Sequence, residues 1–269
     1  MNISVLGCGW LGLPLAVSLI EDGHKIKGST RDPAKVKQIS EQGINTFVLD
    51  LSPELDCEKA DEFFNSELLV INIPPARRDD IVEFHPAQIK SIINALNSSP
   101  IRKVIFTSST SVYPEVNREV SEDESEGPTK NSGKALKTVE QMLLSEGGFK
   151  TTVLRLAGLV GYDRNPRNFL KKRRVIHKIN TPVNLIHRDD CIGVIKEVIK
   201  KDTWGEIFNV CCDNHPKRID FYKSEADRIG LELDNLEDMQ SANFKIVSNG
   251  KMKNILDYSL KYPDPLNME

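Results

Sequence analysis

Three glycines near the start of the chain have the spacing of a phosphate-binding turn. Gly7, Gly9 and Gly12 form a G-x-G-x-x-G pattern between an apolar run at 3–6 and an apolar helical pattern that extends to Ile20. In such a turn the first glycine permits the tight bend, the second lets the backbone reach a pyrophosphate, and the third lets helix and strand pack closely. The N–H groups and dipole at the helix N-terminus attract the anion. The pattern therefore predicts a dinucleotide site formed by Gly7, Gly9, Trp10, Leu11 and Gly12.

The residues after the second predicted strand, His24 to Gly28, indicate which dinucleotide binds. An NAD site usually places Asp or Glu there for the ribose 2′-hydroxyl, whereas an NADP site offers small hydroxyls and an arginine to the 2′-phosphate. Ser29, Thr30 and Arg31 stand at this point, which favours NADP as the cofactor. Asp32 keeps NAD as the alternative, because a shift of one residue would aim its carboxylate at the ribose. Asp32 also has a structural interpretation as the cap of the helix that follows it.

The composition excludes several classes of protein. An apolar content of 39% and a charged content of 28% are typical of a globular protein in water. The net charge of −3 gives no overall field that favours nucleic acid or an anionic membrane. Five scattered cysteines favour a reducing cytoplasm over a disulfide framework. Cys211, Cys212 and His215 lack the spacing of metal ligands, so we expect no metal ion. Taken together, the composition, charge and cysteine usage predict a cytoplasmic protein without a nucleic-acid partner or a membrane anchor.

Strand and helix patterns alternate through the next part of the chain. Repeated units of this kind predict an α/β fold, namely a Rossmann-type doubly wound parallel sheet covered by helices on both faces. We expect residues 1–160, with about 188–212, to form the NAD(P)-binding domain, and 161–269 to form a small C-terminal substrate lobe. Ligands of such sheets bind beyond the carboxyl ends of the strands. The predicted strands are Thr46–Asp50, Leu68–Ile73, Lys103–Ser108 and Thr151–Leu156, and the predicted helices are Val82–Leu96 and Ser132–Glu146.

Later segments of the chain resemble a known family in their order and spacing. These are FTSSTSVY at 106–113, RLAGLVG at 155–161, NLIHRDD at 184–190 and FNV at 208–210. Together with the N-terminal glycines they resemble the extended and atypical short-chain dehydrogenase/reductase family, the nucleotide-sugar epimerase/dehydratase group. The GK-x-x-N pattern at 250–254 and the YP pair at 262–263 resemble an atypical bacterial subgroup of NAD(P)-dependent epimerases.

The resemblance implies catalysis by a tyrosine, a lysine four residues later, and a serine or threonine at the end of the fifth strand. Ser109 matches the serine, with Ser111 beside it. When the following helix is aligned on its glycine and glutamate, Ser132 stands where the family has tyrosine and Leu136 where it has lysine. A serine hydroxyl is far less acidic than a phenol, so it does not replace the tyrosine simply.

Nearby side chains offer substitutes for the missing pair. Tyr113 follows the serine-rich strand and could supply a phenol, and Lys134 or Lys137 could supply an ammonium group. Each has a structural alternative, namely a packing role for the tyrosine and a solvated helix face for the lysines.

The resemblance also assigns further contacts around the sheet. Asp50 and Leu51 would contact adenine, and Arg164 is the candidate for binding the substrate. His187 with Asp190 resembles a structural pair that caps a helix at 190–200. The basic run at 169–174 predicts an exposed helix face. The remaining predicted cofactor contacts are Ile73, Pro74, Pro75, Thr107 and Ser108.

These features predict an NADP-binding protein that acts as an epimerase, dehydratase or reductase on a sugar nucleotide or a similar anionic small molecule. One alternative is a catalytically silent NADP-binding sensor or regulator, which the missing tyrosine and lysine favour. Another is a UDP-sugar or 3-hydroxyacid dehydrogenase, although about 110 residues after Leu156 are few for the helical domain of those enzymes. By resemblance, the helices at 82–96 and 132–146 would form the interface of a homodimer.

Overall fold

Seven strands form one parallel sheet in the computed structural model, which describes residues 1–171, 175–233, 235–238 and 243–268. The strands are β1 (Asn2–Leu6), β2 (Lys25–Thr30), β3 (Asn45–Val48), β4 (Leu68–Ile71), β5 (Lys103–Ser109), β6 (Lys150–Leu156) and β7 (Ile207–Val210). Their order across the sheet is β7-β6-β5-β4-β1-β2-β3, so the chain reverses direction across the sheet between β1 and β4. In open α/β sheets such a switch point is where ligands bind. The predicted Rossmann-type fold is confirmed.

Helices separate the strands along the chain. In the helix Ile81–Asn97 the residues at 81, 85, 89, 92, 93 and 96 are buried, which is the spacing of one helix face. No helix in the described ranges is long and apolar enough to cross a membrane. The helices are α1 (Gly12–Glu21), α2 (Val36–Ser40), α3 (Ala60–Phe64), α4 (Ile81–Asn97), α5 (Asn131–Ser145), α6 (Pro166–Leu170), α7 (Arg188–Lys200), α8 (Arg218–Asp227) and α9 (Gly250–Leu256), with 3₁₀ turns at Pro33–Lys35, Thr110–Val112 and Pro265–Asn267.

Short strands form small pairs outside the main sheet. Asp50–Leu51 and Leu55–Asp56 pair antiparallel, and we call this element the 50–56 hairpin. The other pairs are parallel, and they join Glu119–Val120 to Ile246–Val247, Gly158–Val160 to Leu185–His187, and Val175–His177 to Asn235–Glu237.

The strand β2 begins one residue later and ends two residues later than the sequence predicts. Ser29 and Thr30 pair with β3, so they belong to the strand and not to the loop after it. Gly28 looked like the end of the strand, but it has another function. A Cβ atom there would come within 2.6 Å of Cys8 Sγ and 2.7 Å of Ile44 Cγ2, so only glycine lets these side chains pack over the strand.

The chain divides into two compact units. The first unit comprises Met1–Val112, Gly127–Arg155 and Ile195–Ile207. The second comprises Tyr113–Glu126, Leu156–Val194 and Phe208–Glu269. In the second unit, Leu170, Ile176 and Ala226 form a small core. That the second unit holds a substrate stays a prediction.

Candidate dinucleotide site

Hydrogen bonds from two strands fix the first glycine turn. The Gly7 N–H donates to Ser29 Oγ at 3.0 Å, and the Gly7 carbonyl accepts from Asn72 Nδ2, also at 3.0 Å. Thr107 Oγ1 lies 3.1 Å from Asn72 Oδ1 and donates to it. Gly7 has φ of +96°, a left-handed conformation that favours glycine. The turn is therefore held in one shape by β2 and by the residue after β4.

The other two glycines leave room for an anion and bring α1 close to the turn. A Cβ atom at Gly12 would overlap the Gly7 carbonyl and come within 2.8 Å of Asn72 Nδ2, whereas one at Gly9 would have no heavy atom within 4 Å. Leu11, at the N-cap of α1, makes no side-chain capping hydrogen bond, and the first turn contains no acidic residue. Ligand anions commonly bind to uncapped helix N-termini of this kind. The site therefore fits the pyrophosphate of a dinucleotide.

The residues predicted to select NADP have different roles at the end of β2. Ser29 is buried and its hydroxyl serves Gly7, so Ser29 supports the turn. Thr30 Oγ1 accepts from the Asp32 N–H at 3.2 Å, and the Asp32 carboxylate accepts from the Ala34 N–H at 3.0 Å. Asp32 thus caps the 3₁₀ turn after it, as its structural interpretation predicts. Arg31 is exposed at the same strand end.

The loops that follow β3 and β4 contain further predicted cofactor residues. Asp50 is half-buried and accepts a hydrogen bond from Ser52 Oγ at 2.7 Å, while the buried Leu51 accepts one at its carbonyl from Gln88 Nε2 at 2.7 Å. Ile73 and Pro75 are half-buried and Pro74 is exposed. All these residues belong to the first unit.

A buried ion pair lies behind the serine-rich end of β5. Ser108 Oγ donates to Glu140 Oε1 at 2.6 Å, and Arg155 Nη2 donates to Glu140 Oε2 at 2.7 Å. Both charged side chains are at most 2% exposed. Ser108 is therefore engaged with α5, and Glu140 fixes the register of that helix against β5 and β6.

The same register brings Ser109 and Ser111 against the start of α5. Ser109 is half-buried, and its hydroxyl accepts from the Ser111 N–H at 3.1 Å. A Cβ atom at Gly133 would overlap the Ser111 carbonyl, so α5 packs directly on this turn. On the same helix Ser132 is half-buried and Leu136 is buried. That these two residues stand where the family has its tyrosine and lysine stays a prediction.

The side chains suggested as substitutes for the family's tyrosine and lysine differ in exposure and in hydrogen bonding. Lys134 is exposed on α5. Lys137 is half-buried, and burial, with the positive charge of Arg155, lowers its pKa. Tyr113 belongs to the second unit, is 3% exposed and donates its hydroxyl to Asn209 Oδ1 at 2.7 Å. These are the contacts of a packing residue, not of an accessible phenol.

The second unit contains the predicted substrate contact and the predicted helix cap. Arg164 is exposed, and its backbone pairs with that of Gly161. The cap at Asp190 is wrong, because α7 begins at Arg188 and the buried Asp190 carboxylate instead accepts from Tyr258 Oη at 3.0 Å and from the Lys261 N–H at 2.7 Å. It also accepts from the N–H of residue 262 at 3.0 Å, so it anchors a segment some seventy residues later. Residues 172–174 of the basic run lie outside the described residues.

His187 lies directly before α7 and accepts a hydrogen bond from the first turn of that helix. Its Nδ1 accepts from the Asp189 N–H at 3.2 Å, and its ring lies 4.0 Å from that of Tyr262, centroid to centroid. Burial is the main cause that lowers the pKa of His187.

Within the described ranges, no three His, Cys, Asp or Glu side chains are grouped as metal ligands. Burial also raises the pKa of the Cys8 and Cys211 thiols, each to about 12, which leaves them protonated and poorly nucleophilic near neutral pH.

Three functional candidates were missed by the sequence analysis as site residues. Asn72 and Glu140 organise the turn and α5, and Gln88 contacts the 50–56 hairpin. Asn72 adjoins Ile73, which was predicted, so its position after β4 was the available signal. No local signal distinguishes Gln88 from other polar residues of a helix.

The glycine turn, the uncapped helix and the strand order define a dinucleotide-binding protein of the Rossmann type. A family model described as NAD(P)H-binding matches residues 7–202. Protein YeeZ of Escherichia coli K12 is 34% identical over 270 residues, which cover 99% of this chain and 98% of that protein. The chain belongs to this NAD(P)H-binding family.

Solved structures share the fold over nearly the whole chain. A functionally unknown conserved protein from Silicibacter pomeroyi superposes with a TM-score of 0.80 at 25% identity, covering 98% of this chain and 95% of that one. UDP-glucuronic acid 4-epimerase from Bacillus cereus, in complex with NAD, gives a TM-score of 0.82 at 18% identity, covering 100% and 97%. At this identity the second likeness shows the fold alone.

Proposed function

We propose that this chain binds NADP in preference to NAD and transfers hydride to or from an anionic small molecule of the sugar-nucleotide kind. The observation that carries the dinucleotide part of the proposal is the N-terminus of α1, which has no side-chain cap and follows Gly9, where a Cβ atom would enter open space. The N–H groups there would donate hydrogen bonds to a pyrophosphate.

The residues around this turn have distinct tasks in the proposal. Gly9 and the N-terminus of α1 hold the pyrophosphate, and Arg31 meets the 2′-phosphate with its guanidinium fork. Asp50 and Leu51 contact the adenine. When bound, the nicotinamide supplies the hydride donor or acceptor. Ser109 orients the substrate oxygen by a hydrogen bond at the end of β5.

A catalytically silent NADP-binding sensor is the second candidate. It is favoured by Leu136, which is 2% exposed and places an apolar side chain where the family has its lysine. Ser132 lacks the acidity of the family's tyrosine. Under this proposal the protein would report the NADP state by binding alone.

The first experiment is a fluorescence titration of the wild-type chain and Arg31→Ala with NADPH and NADH. We expect tighter binding of NADPH, and a loss of roughly ten-fold or more in Arg31→Ala, because an arginine–phosphate hydrogen bond is charge-assisted. NADH affinity should change little. Lys90→Ala, which removes another exposed charge from the first unit, is the matched control. Equal weak binding of both cofactors, untouched by the arginine change, would contradict the NADP assignment.

Turnover then separates the two candidates. Wild type, Ser109→Ala and Ser132→Ala are incubated with NADPH or NADP and a panel of sugar nucleotides, and the NADPH absorbance and product are followed. Turnover that fails in Ser109→Ala supports hydride transfer. Tight NADPH binding without turnover on the panel supports the sensor.

A further inference from the structure

A stripe of polar side chains runs along the buried face of α4. His85, Gln88 and Ser91 are three residues apart, so they lie on one side of the helix. His85 is fully buried and Ser91 is 8% exposed, among apolar residues of the same helix. Buried polar groups cost free energy unless they form hydrogen bonds, so the partners of this stripe show what it does.

Both strands of the 50–56 hairpin are held by this stripe. Gln88 Nε2 donates to the Leu51 carbonyl at 2.7 Å, and Ser91 Oγ accepts from the Leu55 N–H at 2.8 Å. Leu51 and Leu55 are paired with each other in the hairpin. The stripe thus fixes the backbone of each strand at the same register.

The Leu51 carbonyl fixes the orientation of the Gln88 amide, and the amide in turn fixes the tautomer of His85. Its Nδ1 lies 3.0 Å from Gln88 Oε1. The Leu51 carbonyl can only accept, so the Gln88 amide must present its nitrogen to Leu51 and its oxygen to His85. His85 Nδ1 therefore carries the proton. In the described part of the chain, the other nitrogen, Nε2, is buried without a hydrogen-bond partner. An apolar residue would avoid that cost, which points to a role for the Nδ1 donor.

We propose that His85 and Gln88 are positioning residues that set the 50–56 hairpin for the adenine half of the dinucleotide. The proposal rests on the proposed function, in which Asp50 and Leu51 contact adenine. Because Gln88 donates to the Leu51 carbonyl, it fixes the peptide between Leu51 and Ser52, next to the two residues proposed to contact adenine. A hairpin held this way binds without first having to be ordered.

The test uses three variants of the full chain and one control. Gln88→Met removes both hydrogen bonds of the amide, His85→Phe removes the donor to Gln88, and His85→Asn keeps an N–H close to the place of Nδ1. Asn94→Met changes an exposed amide of the same helix and is the matched control. Each protein is measured for hydrogen exchange of the amides at 50–56, for thermal unfolding, and for affinity toward NADPH, 2′,5′-ADP and reduced nicotinamide mononucleotide.

We expect faster exchange at 50–56 and about five-fold weaker binding of NADPH and 2′,5′-ADP in Gln88→Met and His85→Phe, the size of one lost neutral hydrogen bond. Binding of the mononucleotide should not change, and His85→Asn should resemble the wild type. Unchanged exchange at the hairpin, or equal losses for all three ligands, would overturn the positioning role. If the wild type binds neither adenine ligand, the proposed function and the adenine role fail together, and faster exchange in the variants then shows only that the stripe holds the hairpin.

Discussion

Removing the Glu140 carboxylate should be among the most destabilising single changes in the first unit. Glu140→Ala leaves the Arg155 guanidinium, 1% exposed, without the carboxylate that its Nε and Nη2 contact at 2.7–3.2 Å. Breaking a buried pair in this way costs about 3–5 kcal/mol of unfolding free energy. Ser108→Ala removes a single bond to the carboxylate and should cost about 1.5–3 kcal/mol. The double change Glu140→Leu with Arg155→Met replaces both charges by apolar groups and should recover much of the loss.

Urea unfolding followed by tryptophan fluorescence measures this effect, because both tryptophans, Trp10 and Trp204, lie in the first unit. With an m-value of roughly 2 kcal/mol/M, the midpoint for Glu140→Ala should fall by about 2 M. The double variant should unfold at a higher urea concentration than Glu140→Ala. A fall of less than about 0.5 M, or a double variant less stable than the single one, would show that the pair does not hold α5 in place.

Two further predictions follow from the same unit. Gly12→Ala should lower the unfolding free energy by about 1–3 kcal/mol, because its Cβ atom would overlap the Gly7 carbonyl. Gly9→Ala should keep the stability of the wild type and lose NADPH affinity, since its Cβ atom enters open space. Urea unfolding and NADPH titration compare the two variants, and a Gly12→Ala variant as stable as the wild type would contradict the packing argument. Burial lowers the pKa of His85 below 6.5, so the unfolded chain takes up its proton first as pH falls. Stability should therefore decrease below about pH 6.5, and less steeply in His85→Asn; equal slopes in urea midpoints from pH 7.5 to 5 would refute this.

The sequence was sufficient for the parts of the fold that depend on local pattern. Alternating apolar strands and amphipathic helices predicted the parallel sheet, and the three glycines predicted the turn, because each signal lies within a few consecutive residues. Gly28 was misinterpreted because its purpose is a close approach by Cys8 and Ile44, and no local pattern shows such a contact.

The side-chain assignments depended on partners that are distant in the sequence. Ser29 serves Gly7, which lies 22 residues earlier, and so a hydroxyl predicted for the 2′-phosphate is engaged in the turn. Asp190 meets the backbone of Lys261, which lies 71 residues later. Residue type and spacing indicated that these groups need partners, but the partners follow only from the folded topology.

The alternation of the chain between the two units has a consequence for its synthesis. The chain passes from one unit to the other five times, and the first unit includes residues as late as Ile207. On the ribosome, the seven-residue strand β6 is therefore the edge of the sheet until β7 has emerged, and in the complete sheet the four-residue strand β7 takes that place. The sheet of a nascent chain therefore stays incomplete until most of the residues have been synthesised. A fragment that stops before β7 would keep the longer edge strand, which offers more backbone groups for pairing with another chain.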